Sequence, residues 1–185
     1  AIGSRHLYSP NTQDTSSRFV ASALLYGNPV VLPVPDIERS AFVLLLGTNP
    51  LVSRGSLLSA GNVREKLSGV VSRGGRVVVV DPRRTETARA FEHVAVRPDG
   101  DAWLLLAMLN VIFAEGLEDR AAIAKQAKGI ELIRDFARGY SPEAVLERTG
   151  LPADEVRALA RAVATADSAA IHGRTGACLG RHPTL

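Results

Sequence analysis

The sequence predicts a three-layer α/β domain with a mainly parallel central sheet, and three observations carry the prediction. Val77 to Val80 is a run of β-branched residues, apolar on both faces and too short for a helix, which is how a strand buried in the middle of a parallel sheet reads. Phe42-Val43-Leu44-Leu45-Leu46 reads the same way. The two are joined by a helix-length segment, and a strand, crossover and strand at this spacing place the strands parallel with a right-handed connection.

In chain order, the polar opening through Asn11-Thr12-Gln13 leads into a helix bearing Phe19, Val20, Ala23, Leu24 and Leu25, with Asp14 or Thr15 as its N-cap. Gly27 stops it, and Asn28-Pro29 cannot continue it. Pro33 and Pro35 keep the next stretch extended, and Asp36 to Arg39 form a turn before the Phe42 strand. After Gly47-Thr48-Asn49-Pro50, a helix in two parts is expected over Ser56–Ala60 and Val63–Ser72. The Val77 strand ends at Asp81-Pro82, because proline cannot donate to a ladder and restrains the residue before it. A short helix over Thr85–Ala90 and a third strand over His93–Val96 follow. Pro98-Asp99-Gly100-Asp101 is a turn in which Asp101 is expected to cap a strong helix, Ala102–Glu115, with Leu104, Leu105, Met108, Leu109 and Ile112 on one face.

Residues 116–166 read as a helical insert with helices over Glu118–Gln126, Ile130–Arg138, Pro142–Arg148 and Ala153–Ala166. Ser141-Pro142-Glu143 and Leu151-Pro152-Ala153-Asp154 punctuate the last two. A final strand, Ala169–His172, runs into Gly173-Arg174-Thr175-Gly176. The 185 residues are read as one domain, with 1–35 an N-terminal segment and helix and 36–185 the α/β core. Both ends read as cut, so the expectation is a piece of a larger protein.

Composition narrows the function classes. A net charge of +3 with scattered basic residues argues against a nucleic-acid surface, and no apolar run approaches a membrane span. A single cysteine, Cys178, excludes an internal disulfide and a CxxC metal knuckle, so a cytoplasmic setting is the expectation. Cys178 reads either as a reactive loop thiol or as a buried free thiol, the commoner case. The four histidines lack metal-ligand spacing, and GxGxxG follows none of the strands.

What remains are three polar loops, after Leu46, Val80 and His172, that converge on the carboxyl edge of the sheet, where open α/β sheets bind ligands. Asp81 suits a ribose hydroxyl and Arg83 a phosphate, although an Asp-Pro turn with solvated arginines explains both equally well. For Asp101, helix capping, worth about 1 kcal/mol, is the better explanation from the residues alone.

GTNP, then GGRVVVVDPRRTETA, then RPDGDAWLLLAMLNVIFAEGL, in this order, resembles the central region of the molybdopterin oxidoreductases, the family of formate dehydrogenase, periplasmic nitrate reductase and dimethyl sulfoxide reductase. YSPEAVLERTGLPADEVRALARAVATADSAAIHGRTGACLG is similar to the segment that follows. The resemblance implies a Rossmann-like domain that holds part of a molybdopterin guanine dinucleotide cofactor carrying molybdenum or tungsten. It implies that Gly47, Thr48, Asn49 and Pro50 line the cofactor, that Asp81, Arg83 and Thr85 serve its guanosine and phosphate portion, and that Asp101 binds the guanine edge. Gly173 and Arg174 would approach the second pterin, and Asp14 becomes a candidate metal ligand, with capping of the Phe19 helix the preferred alternative.

The same resemblance places a 4Fe–4S cluster in an N-terminal region outside these residues. It makes the remaining domains of the same polypeptide, and an electron-transfer subunit, the expected partners. The isolated domain is not expected to turn over, and no catalytic residue is assigned. Two rival readings stand beside it: a non-catalytic relative of the same fold that serves as scaffold in a respiratory dehydrogenase complex, and the central domain of thiamine-diphosphate enzymes, which the DPRRTETA turn argues against.

Overall fold

The computed structural model describes residues 3–6, 8, 14–55, 58, 60–182 and 184. Its centre is a four-stranded, all-parallel sheet of β1 (Phe42–Leu46), β2 (Arg76–Val80), β3 (Glu92–Val94) and β4 (Ala169–Gly173), in the order β3-β2-β1-β4. Leu46 pairs with Val80 on one side and Gly173 on the other, so the three strands end level at one edge.

The continuous apolar runs of β1 and β2 are explained by two cores, one on each face. Phe42, Leu44, Leu46, Val78 and Val80 point to one side, onto Leu104, Met108, Val156 and Leu159. Val43, Leu45, Val77 and Val79 point to the other, onto Ile37, Leu58, Val63, Leu67 and Val70. Each such side chain contributes on the order of 1.5–3 kcal/mol relative to exposure. This alternation on a two-sided sheet is what makes the architecture three-layered.

The helices in order are α1 (Ser16–Tyr26), α2 (Pro50–Ser53), α3 (Val63–Ser72), α4 (Glu86–Ala90), α5 (Asp101–Ala114), α6 (Arg120–Gln126), α7 (Ile130–Ala137), α8 (Leu146–Thr149) and α9 (Ala153–Ala164). A 3-10 turn, Ile37–Arg39, precedes β1. Gly27 closes α1 at φ 70°, in the left-handed region.

Several boundaries differ from the expectation, each for a local reason. The helix after β1 begins at Pro50 instead of Ser56, because proline is preorganised for a first helical position. Ser56, Leu57 and Ser59 of the expected Ser56–Ala60 segment lie outside the described residues, and Leu58 sits in a turn with its N–H donated to the Gly55 carbonyl. Ser141 does accept from the Ala144 N–H, but residues 142–145 form turns, and the regular helix there is only Leu146–Thr149. β3 starts at Glu92, paired with Arg76 across the sheet edge by two hydrogen bonds of 2.9 and 2.6 Å.

The largest correction concerns α5. Its N-cap is Gly100, and Asp101 is the first helical residue. The aspartate is buried in place of capping, and its Oδ1 has no hydrogen-bond partner.

Candidate functional site

In the order β3-β2-β1-β4 the chain reverses direction across the sheet between β1 and β4, which makes their carboxyl ends the switch point where open sheets form a ligand crevice. The floor of that crevice is backbone. The Arg174 N–H donates to the Leu46 carbonyl and the Gly176 N–H to the Gly47 carbonyl, both at 3.0 Å, while the Gly47 N–H donates to the Val80 carbonyl at 3.0 Å. The two glycine backbones touch: a Cβ on Gly47 would lie 2.3 Å from the Ala177 nitrogen, and one on Gly176 2.6 Å from the Gly47 Cα. Gly47 has φ 55°, so glycine is required there for conformation as well as for space.

Above this floor is a cleft of about 430 Å³ whose lining includes Gly47, Asp81, Asp99, Asp101, Gly180 and Arg181. Asp81 sits on the turn after β2: its Oδ1 accepts from the Arg83 N–H at 2.8 Å, and His93 Nε2 lies 2.8 Å from its carbonyl oxygen. The turn explanation for Asp81 is therefore realised in the geometry, and the carboxylate also faces the cleft. Asp99 adopts φ 67°, and its Oδ1 accepts from the Arg181 N–H at 2.6 Å, drawing the 176–181 loop over the site. A Cβ on Gly180 would lie 2.4 Å from that same oxygen, so this closure too depends on a glycine.

Of the three, Asp101 is the buried one, and its Oδ1 lacks the donor that the Oδ1 atoms of Asp81 and Asp99 have. Burial pushes its carboxyl above the ordinary range, and Asp81 and Asp99 add like-charge repulsion. A buried oxygen without a donor, beside two further carboxylates, is a site that lacks N–H donors. Among the described residues, no group of three or more histidines, cysteines and carboxylates has the arrangement of a metal site. As carboxylates, Asp81, Asp99 and Asp101 offer hydrogen-bond acceptors to the cleft that they line.

Of the residues singled out from the sequence, the structure brings Gly47, Asp81 and Asp101 into this one cleft. Thr48, in the loop after β1, is buried. Asn49 is committed to positioning: its Oδ1 accepts from Thr87 Oγ1 at 2.7 Å and from the Thr87 N–H at 3.2 Å, and its Nδ2 donates to Glu86 Oε2 at 2.7 Å. Pro50 starts α2, and Thr85 caps α4 by accepting from the Ala88 N–H. Arg83 is exposed, 3.6 Å from Glu86. Gly173 and Arg174 open onto a second cleft beside α1. At the start of α1, Thr15 holds the N-cap position without a side-chain bond, and the Asp14 carboxylate accepts from the Thr15 hydroxyl at 2.8 Å. Cys178 is half-buried and not enclosed.

Asp99, Gly180 and Arg181 were not identified from the sequence. Their signal was present in Pro98-Asp99-Gly100, since aspartate before glycine is among the few residues that tolerate the left-handed region.

A parallel sheet with a glycine-floored switch point and carboxylates at its carboxyl edge has the layout of open α/β domains, in which ligand crevices form at that edge. The comparisons with known proteins make the class specific. The family model described as molybdopterin oxidoreductase matches residues 3–147, and the chain belongs to that family. It is 36% identical over 139 residues to formate dehydrogenase H of Escherichia coli (strain K12), an alignment covering 75% of this chain and 19% of that protein. To the dimethyl sulfoxide reductase DmsA of the same organism it is 30% identical over 158 residues, covering 74% of this chain and 19% of the relative. The solved structure of acetylene hydratase from Pelobacter acetylenicus superposes with a TM-score of 0.77 at 25% identity, over 91% of this chain and 22% of that one. The chain thus spans about a fifth of the length of these relatives.

Proposed function

We propose that this domain binds the guanine nucleotide end of a molybdopterin guanine dinucleotide within a larger molybdenum or tungsten oxidoreductase of the formate dehydrogenase type. The observation that carries the proposal is the buried, partnerless Oδ1 of Asp101 in a cleft floored by Gly47 and Gly176. Guanine presents adjacent ring and exocyclic N–H donors, the complement of a carboxylate, and charge-assisted pairs of this kind are the stronger hydrogen bonds. The volume of about 430 Å³ suits a base and its sugar.

In this reading Asp101 holds the guanine edge and Asp81 the ribose. Arg83 serves a phosphate. Thr48, Asn49, Pro50 and Thr85 hold the two loops in place; Gly173 and Arg174 serve the second pterin. When bound, the metal and its pterins supply the electron or oxygen-atom exchange; the chain's own contribution is to bind and orient them. Asp14 is the proposed protein ligand to the metal. A 4Fe–4S cluster in an upstream region, an electron-transfer subunit as partner and a cytoplasmic location complete the proposal for the parent protein. The segment 1–185 by itself would be inactive.

Two variants of the full-length protein test the assignments. Asp81→Ala is expected to lower guanine nucleotide content at least several-fold, measured as GMP released by acid from purified protein, and unchanged GMP would return the Asp81 turn to scaffold. Asp14→Ala is expected to lower the metal-to-protein ratio while GMP stays near the wild-type level. Unchanged metal content would remove Asp14 as a ligand.

A further inference from the structure

Asp101 Oδ1, the atom that carries the nucleotide reading, is buried as well as partnerless. A ligand N–H reaches it only if one wall of the cleft moves. The two walls differ in how firmly they are held. One is the Asp81-Pro82 turn with Pro98, Asp99 and Asp101. It is tied down by the Asp81 N–H, which donates to the Val94 carbonyl at 3.2 Å, and by the Arg97 N–H, which donates to the Thr149 carbonyl at 2.8 Å. The other wall is Gly176, Leu179, Gly180 and Arg181, and none of residues 173–182 is buried.

This second wall is a strap pinned at few points. At its start the Gly176 N–H donates to the Gly47 carbonyl. At its end the Arg181 N–H donates to Asp99 Oδ1 at 2.6 Å, and Arg181 Nε lies 3.8 Å from Asp99 Oδ2. The next residue, His182, stands edge-on to the Trp103 ring, with centroids 5.5 Å apart at 89°. Trp103 is in turn held by the Tyr140 ring at 5.7 Å and the Arg148 guanidinium at 4.2 Å. Asp99 and Trp103 bracket Asp101 in the chain, so the strap runs past Asp101 between these two pins.

Contacts of this kind open at small cost. An exposed ion pair contributes little, and segments with few buried contacts open locally far below the free energy of global unfolding. The hydrogen bond to Asp99 is the strongest of the pins, because its acceptor is charged. It also needs room: a Cβ on Gly180 would lie 2.4 Å from Asp99 Oδ1, while the Asp99 Cγ and Cα are 3.5 and 3.8 Å away. Leu179, 58% exposed, gives the strap an apolar face at the cleft against which a flat ring can lie.

We propose that residues 176–182 form a strap, latched by Asp99, that swings off Asp101 to admit or release a nucleotide base and then holds it in place. The gate rests on the nucleotide reading of the cleft. In it Asp99 is a positioning residue, bonded to the strap and not to the base.

Cys178 lies on the strap and is half-buried, so its rate of alkylation by iodoacetamide in the full-length protein, read at the peptide that contains it, reports opening. Asp99→Gly removes the carboxylate and suits the φ of 67° at this position. It is expected to raise the alkylation rate about tenfold, and to speed by a similar factor the loss of acid-releasable GMP from protein held in nucleotide-free buffer. Asp99→Asn keeps an oxygen that accepts from the Arg181 N–H, and should stay within about threefold of the wild type. Gly180→Ala drives a methyl group against Asp99 Oδ1 and should open the strap as Asp99→Gly does. Added to Asp99→Gly it should change nothing further, because the atom it strikes is gone. Hydrogen exchange of the β1 and β2 amides stays at the wild-type level in all four variants, which separates opening of the strap from loss of the fold. Unchanged Cys178 alkylation in Asp99→Gly, an asparagine variant as open as the glycine one, or multiplied effects in the double variant overturns the latch. Faster alkylation with GMP lost at the wild-type rate overturns the gate and leaves the nucleotide reading standing. Wild-type protein that carries no GMP overturns the nucleotide reading and the gate with it, while Cys178 still reports whether Asp99 latches the strap.

Discussion

Gly47→Ala is expected to destabilise the domain by roughly 2–5 kcal/mol, one of the two largest effects anticipated for a single substitution in this chain. Two costs combine. Holding a non-glycine residue in the left-handed region costs about 1–2 kcal/mol, and φ at Gly47 is 55°. Forcing a methyl group into occupied space typically costs about 1–3 kcal/mol more, and here the nearest atom is the Ala177 backbone nitrogen at 2.3 Å, which cannot rotate away. Gly116→Ala separates the two. Gly116 also has positive φ, at 64°, but nothing lies within 4 Å of its would-be Cβ, so only the conformational cost remains. Denaturant midpoints and hydrogen exchange of the β1 and β4 amides measure the difference. Equal losses at positions 47 and 116 would contradict the close packing of the β1 and β4 loops.

Asp101→Asn is expected to move stability and ligand binding in opposite directions. In the free domain the substitution removes a buried charge whose pKa is raised by burial and by the neighbouring Asp81 and Asp99. An aspartate in a first helical turn gains about 0.3–1 kcal/mol from the helix dipole, but burying an unpaired carboxylate costs more than that, so the neutral amide is the more stable choice, on the order of 1 kcal/mol. Binding responds differently. An amide offers one acceptor and one donor where the carboxylate offered two acceptors, so one of two guanine N–H groups is left facing a donor. Loss of a charge-assisted pair on the order of 2 kcal/mol lowers guanine nucleotide affinity roughly 30-fold.

The pH dependence carries the same sign. A carboxyl whose folded pKa lies above the unfolded value of about 3.9 binds its proton more tightly in the folded state. Its destabilising contribution is fully present above the raised folded pKa, declines as pH falls through it, and is gone below the unfolded value. Asp101→Asn should abolish this part of the stability profile in protein stripped of nucleotide. An asparagine variant that lost stability and kept its nucleotide would mean that Asp101 serves the helix and not a ligand.

Much of the fold was legible in the sequence because strands covered on both faces leave an unambiguous pattern. Five consecutive apolar residues in β1 and four in β2 cannot be one-sided strands, and the structure divides them between two cores as the pattern requires. Proline marks the end of β2 at Asp81-Pro82 because it removes a ladder donor, and Pro50 marks the start of the helix after β1. Short boundaries were less legible. Whether Pro142 opens a helix or a turn depends on what the next residues pack against, and here the chain turns before becoming helical at Leu146.

The site was legible by residue type and not by role. Asp101 stands in a sequence context that suits a cap, and only the backbone at Gly100 shows that the cap lies one residue earlier and that the carboxylate is turned inward. Asn49 looked like a ligand contact, yet its side chain ties the β1 loop to Thr87 and Glu86, contacts 37 and 38 residues away that no local pattern encodes. Asp99 and Arg181 meet across a separation of 82 residues for the same reason. The resemblance located these residues in a family; the structure divided them into those that face the cleft and those that hold it open.

The most direct test of the nucleotide-site account is the cofactor content of the purified full-length protein. Acid release should yield GMP together with molybdenum or tungsten, with about two GMP per metal, and Asp101→Asn should lower the GMP yield while the protein remains folded. A well-folded full-length protein containing neither GMP nor metal, when produced in cells that load a control molybdopterin enzyme, would contradict it and assign the fold a scaffold role.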